Sequence, residues 1–219
     1  MSDIVDRIND VHREVGGRTV PEGRARTVLL RRVYDFPAGD VWDACADPER
    51  ISRWFLPVSG EFWLGGDYRL EGNAGGRILA CEPPRLLRVS WLSGPDPGFG
   101  EVELRLTPEG TERTVLALEH AAVVPDGTWD RYGPGATGVG WDLTLLGLGR
   151  HLRTGAGALE SGEWQDSPEA VEFMTRSSAA WGAAHRASGA EPAAAGAAAQ
   201  ATLAFYVPSA GGEGTPGAS

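Results

Sequence analysis

The stretch from Val58 to Ala122 constrains this chain most. It breaks into short runs, VSGEFW, DYRLEGNA, GRILACE, LLRVSWL, GEVELRLTP and ERTVLALEHA, parted by GG, PP, GPDPG and PEGT. Strand-length runs with turn formers between them leave no room for crossover helices, so they must pair as an antiparallel meander. Alternation is clean in Leu87, Val89 and Trp91, in Val102, Leu104 and Leu106, and in Leu116, Leu118 and His120. Each strand therefore offers one face to a core. A further strand, RTVLLRRVYD, comes earlier, and PAGDVWDACADPERISRWF after it reads as two short helices. Pro37 and Pro48 suit first helical turns, Asp47 is a good N-cap, and Val41, Ala44 and Cys45, then Ile51, Trp54 and Phe55, keep helical spacing.

After the meander comes GVGWDLTLLGLGRHL, residues 138–152, an apolar helix that carries four glycines. An interior Gly costs a helix roughly 0.5 to 1 kcal/mol against Ala. At about 100° per residue, Gly140, Thr144, Gly147 and His151 form one stripe facing the sheet. Trp141, Leu145, Leu148 and Leu152 flank it on one side and Val139, Leu143 and Leu146 on the other. Asp142, Gly149 and Arg153 fall opposite, toward solvent. On this reading only Gly140 and Gly147 need explaining. Either they leave room for a cavity under the helix, or they let its backbone pack close against the sheet.

One strand, two helices, six strands and a long helix make an α+β arrangement with about seven strands in its sheet. It spans residues 26–153. Residues 1–25 read as an amphipathic helix, Ser2 to Val15 with Ile4, Ile8, Val11 and Val15 on one stripe and Gly16-Gly17 as its stop, followed by a link. Residues 154–207 shift to Gly and Ala and read as a helical appendage. Ser167 caps a helix whose Val171, Met174, Ser178, Trp181 and His185 share a face, and EPAAAGAAAQATLAFY forms another. The appendage either folds back over the domain, covering a pocket mouth, or pairs with a second copy as a homodimer. Residues 208–219 read as a disordered tail.

Composition excludes several classes. A formal charge of −10 over 219 residues argues against a nucleic-acid surface, which needs clustered positive charge. No run is apolar for long enough to span a bilayer and the first residues are charged, so a cytoplasmic protein without a membrane partner is expected. Every basic residue is Arg, none Lys. Cys45 and Cys81 lack CxxC spacing, and His12, His120, His151 and His185 are scattered, so no metal and no other cofactor is expected. GxSxG, HExxH and P-loop patterns are missing, and GNAGG at 72–76 joins two strands as a hairpin rather than opening a phosphate-binding helix.

The strand ending in an aromatic before Pro37, then VWDA, DPERISRWF, the GG before a strand, EPPRLL and the terminal GVGWDLTLLGLGRHL resemble the domain family named for the activator of heat-shock protein 90 ATPase. That family belongs to the SRPBCC (START-like, birch-pollen-allergen-like) superfamily, and the resemblance runs from about Arg26 to Leu152. It implies a helix-grip fold, a curved antiparallel sheet wrapped around a long C-terminal helix, often with an apolar cavity between them. Members include co-chaperones, polyketide-cyclase-like proteins and small-molecule sequestration proteins, so fold alone does not choose a function.

The leading expectation is a binder of a hydrophobic or aromatic small molecule, without cofactor and without turnover. Its cavity walls would come from Tyr34, Trp54, Phe55, Tyr68, Trp91, Leu104, Trp141 and Thr144. His120 and His151 could exchange a hydrogen bond or a proton with a ligand, and Arg32, on the face of Leu30 and Tyr34, would need a carboxylate partner or an anionic ligand unless it reaches solvent. A co-chaperone module is the alternative. Eukaryotic activators also carry a separate N-terminal domain, which residues 1–25 are too few to supply, so a heat-shock ATPase partner is the less favoured expectation. A cyclase-like enzyme using Arg32, Tyr34 and His120 is the third.

Overall fold

A computed structural model describes residues 8–94, 98–158, 164 and 167–208. Strands β1 (Val11–Val20), β2 (Gly23–Tyr34), β3 (Val58–Gly60), β4 (Asp67–Leu70), β5 (Gly75–Glu82), β6 (Leu86–Ser90), β7 (Gly100–Pro108) and β8 (Thr114–Ala122) form one antiparallel sheet. Its order is β1-β2-β8-β7-β6-β5-β4-β3. Helices α1 (Ala38–Ala46) and α2 (Pro48–Trp54) lie between β2 and β3. After the sheet come α3 (Asp126–Tyr132), α4 (Gly135–Thr154), α5 (Pro168–Ala187) and α6 (Pro192–Tyr206). The fold is α+β with the C-terminal helices packed on the sheet, as a helix-grip requires.

The meander forms where the turn formers predict it, and alternation sets its faces. Val28, Leu30 and Tyr34 of β2, Val102 and Leu106 of β7, and Leu116 and Leu118 of β8 are buried together against Val139, Trp141, Leu145 and Leu148 of α4. Asp47 caps α2, its Oδ1 accepting the Arg50 N–H at 2.9 Å, with Pro48 as first residue. Pro37 sits one place earlier than expected, at the N-cap of α1. The run VSGEFW is strand only as far as Gly60, whose φ of 123° turns the backbone away and leaves Trp63 and Leu64 exposed. No helix among the described residues is long and apolar enough to cross a membrane.

Two expectations are corrected. The helix over Ser2–Val15 does not extend into residues 11–15. Val11–Val20 pair with β2 from Val11↔Arg32 to Val20↔Gly23, which makes the sheet eight-stranded. The Val11/Val15 spacing misled because four residues return to the same face of a strand as well as of a helix. Gly16 and Gly17 stop nothing; they lie inside β1, where Gly16 lets Thr27 approach closely. Residues 2–7 lie outside the described residues, as does the tail from 209 onward.

The second correction concerns α4, whose Asp142 and Gly149 were expected to face solvent. Both are buried. Gly149 packs against Tyr34 and Arg32 of β2, and Asp142 receives Arg13 from β1 and Ser177 and Trp181 from α5. A helix covered on nearly every side shows no solvent face, so a polar residue on it marks a buried partner instead.

Candidate functional site

Trp141, Leu145 and Leu148 of α4 meet the sheet, while Gly140, Thr144 and Gly147, next to them around the helix, border open space. Two adjoining cavities result. An inner one of about 140 Å³ lies between sheet and helix, with Tyr68, Cys45, Cys81, Leu104, Leu116 and Leu148 among its walls. An outer one of about 480 Å³ is bounded by Trp54 and Phe55 of α2 and its C-terminal flank, Trp91, His120, Trp141 and Gly140, and on the far side by Met174, Phe205 and Tyr206. Trp54, Phe55, Trp91, Trp141 and Thr144 belong to both. Among the described residues no Asp, Glu, Lys or Arg lines either cavity.

The aromatic centre of the outer cavity is built by three elements. His120 lies near the end of β8, on the face of Leu116 and Leu118. Trp91 follows β6, and Trp141 stands on α4. The Trp91 and Trp141 rings lie 5.1 Å apart, and the His120 ring is 5.8 Å from Trp141, edge to face. Trp141 donates its indole N–H to His120 Nδ1 at 3.0 Å. Only the neutral imidazole with its proton on Nε2 can accept there. Burial supports the same state by pushing the His120 pKa down to about 4.

Other wall groups spend their polarity inside the protein. Thr144 donates to the Gly140 carbonyl at 2.9 Å, Trp54 to the Ala44 carbonyl at 2.9 Å and Tyr68 to the Ser90 carbonyl at 2.8 Å. Tyr206 donates to the Ala136 carbonyl at 2.6 Å, tying the end of α6 to the start of α4. Burial raises the Tyr206 phenol to about 12 and the Cys45 thiol to about 12, so both keep their protons near neutrality. Neither thiol is paired. Among the described residues no three His, Cys, Asp or Glu side chains converge as a metal site.

Of the residues predicted for the site, Trp54, Phe55, Trp91, His120, Trp141 and Thr144 border the outer cavity, and Tyr68 and Leu104 the inner one. Arg32, Tyr34 and His151 border neither. The Arg32 guanidinium and the Tyr34 hydroxyl both donate to the Leu145 carbonyl, at 3.2 and 2.9 Å, so a backbone oxygen of α4 takes the place of the carboxylate or anionic ligand expected for Arg32. Burial holds the Tyr34 phenol well above its usual range. The His151 Nδ1 is 3.1 Å from the Ala156 carbonyl, past the end of the helix, and its ring stacks on Trp54. The trio of Arg32, Tyr34 and His120 that a cyclase-like site would use is not assembled in one cavity.

Sequence reasoning missed the far wall as a set of site residues. Met174 and Trp181 were recognised as one helical face, and that face folds back: Met174 borders the cavity while the Trp181 ring lies flat on Gly138 of α4. Phe205 and Tyr206 carried a readable signal, an apolar end on an otherwise Ala-rich helix. Asn73, in the β4–β5 hairpin, and Thr137 are exposed at the rim.

Comparison with known proteins agrees with this architecture. The family model for activator of Hsp90 ATPase homolog 1-like proteins matches residues 35–153. CalU16 from Micromonospora echinospora is 39% identical over 80% of this chain and 98% of its own, with a TM-score of 0.63 to its crystal structure and 0.68 to its solution structure. MLL2253 from Mesorhizobium loti is 27% identical over 59% of this chain and 98% of its own, with a TM-score of 0.51. DynU16, a protein of the dynemicin biosynthetic locus, shares the fold at 24% identity and a TM-score of 0.51, over 60% of this chain and 48% of that one. No curated protein matches. With more than half of its length matched by the family model and a relative at 39% identity along nearly its whole length, the chain belongs to the activator of Hsp90 ATPase homolog 1-like family, with an SRPBCC-type fold.

Proposed function

We propose that this protein binds a hydrophobic or aromatic small molecule in the outer cavity, with the inner cavity as its apolar extension, and releases it unchanged. The observation that carries this reading is a cavity of about 480 Å³ walled by aromatic rings, with no charged side chain among the described residues that line it. That size lies in the range of roughly 300–1,000 Å³ usual for small-molecule sites, and the inner extension is lined mostly by apolar side chains. The protonation states support release without turnover. A neutral imidazole with its proton held on Nε2 is a poor acid, its Nδ1 lone pair is taken by Trp141, and the phenols and the Cys45 thiol keep their protons.

Native mass spectrometry of the purified full chain tests the reading directly. A retained small molecule, or a mass shift on incubation with neutral polycyclic aromatics, is the expected result. Only the bare chain mass under every condition would remove the pocket reading.

A further inference from the structure

Resting on that reading, we propose that the ligand is an uncharged, flat aromatic that presents a hydrogen-bond acceptor, such as a ring carbonyl, to the Nε2–H of His120. Three observations lead there. The first is the charge of the walls. An ion entering either cavity would lose hydration with no opposite charge to meet it among the described residues, which favours neutral molecules. The second is wall shape. Trp91 and Trp141, with Trp54 and Phe55 stacked 5.6 Å apart beside them, offer ring faces and edges that match another flat ring.

The third is an inventory of donors. Trp54, Trp141, Thr144 and Tyr206 each donate to a protein acceptor, and Trp164 reaches Glu169 at 3.4 Å. His120 differs. Its Nδ1 is engaged by Trp141, which fixes the proton on Nε2, and that N–H has no protein acceptor among the described residues, yet it is not sealed off as Arg88 Nε and His185 Nδ1 are. The Trp91 indole N–H is the other ring donor of the wall without a protein acceptor, and its ring lies 6.2 Å from that of His120. A ligand without an acceptor would leave the His120 donor buried and unpaired, a loss that an isosteric carbonyl compound avoids. Trp141 is thus a positioning residue: it holds the imidazole in the tautomer that can donate into the cavity.

Equilibrium dialysis of the full chain at pH 7 with fluorene, fluoren-9-one and 9-oxofluorene-2-carboxylate tests the assignment. Hydrophobicity alone ranks fluorene first. The proposal expects the ketone to bind about tenfold or more tightly than fluorene, and the carboxylate to bind more weakly than the ketone. His120→Leu should erase the preference for the ketone over fluorene. Should that variant fail to fold, as judged by thermal melting, the three ligands on the natural chain still decide. Equal or tighter binding of fluorene, or a preference for the carboxylate, overturns the assignment but leaves the pocket reading standing. Binding of none of the three overturns the assignment as well, while the pocket reading stands or falls by native mass spectrometry.

Discussion

Gly138 shows why an apolar helix accepts glycine. A Cβ there would stand 2.2 to 2.5 Å from the Trp181 indole, which is itself fully buried and cannot swing away. Gly138→Ala should therefore lower stability by roughly 1 to 3 kcal/mol, the usual cost of overpacking, read as a shift in denaturant midpoint at unchanged slope. Gly196 on α6 is the contrast, with nothing within 4 Å of an added Cβ, so Gly196→Ala should raise stability by about 0.5 to 1 kcal/mol. His120 adds a pH dependence. Its pKa is about 4 in the fold against 6.5 for an ordinary histidine, so below pH 6.5 the unfolded chain takes up a proton that the fold refuses. Stability from this group is whole above pH 6.5 and falls as pH drops toward 4, by about 3 kcal/mol in all. Unfolding free energies between pH 7 and 4 should show this slope in the natural chain and a shallower one in His120→Leu.

Among elements, the junction of β1, α4 and α5 holds the fold together at one carboxylate. Asp142 is 1% exposed and accepts from Arg13 Nε at 3.0 Å, Arg13 Nη2 at 2.9 Å, the Ser177 hydroxyl and the Trp181 indole at 2.9 Å. Arg13 also donates to the Ile8 and Val11 carbonyls. Asp142→Ala strands a buried guanidinium and should cost about 3 to 5 kcal/mol, with amide exchange rising first in β1 and α5. None of this was legible in the sequence, because one acidic residue in an apolar helix reads as its solvent side until something else is known to cover it. The strands β4 to β8 and the start of α5 were legible, since alternation, paired turn formers and the Ser167-Pro168 start are local signals. Ser167 does cap α5, accepting the Ala170 N–H at 3.1 Å. Strand β1 was not legible, because its apolar residues fit either period and only pairing with β2 selects one.

For the whole molecule, the cavity was half legible. The sheet and α4 supply Trp91, His120, Trp141 and Leu104, which period alone points inward. The other half arrives from helices that are rich in Ala and whose position depends on contacts remote in sequence. The face of α5 that carries Met174 and Trp181 is filled within the chain, so a homodimer through these helices would need a different surface. A chain ending at residue 158 should melt at a lower temperature than the full protein and fail to retain fluoren-9-one in dialysis, having lost Met174, Phe205 and Tyr206 from the wall and two of the donors to Asp142. The bond from Tyr206 to Ala136 spans 70 residues and the pair Arg13–Asp142 spans 129. Synthesis runs from the N-terminus, so Arg13 waits for α4 to emerge and Ala136 for the last turn of α6. On the ribosome the sheet can assemble early, but the outer cavity gains its far wall only once α6 has cleared the exit.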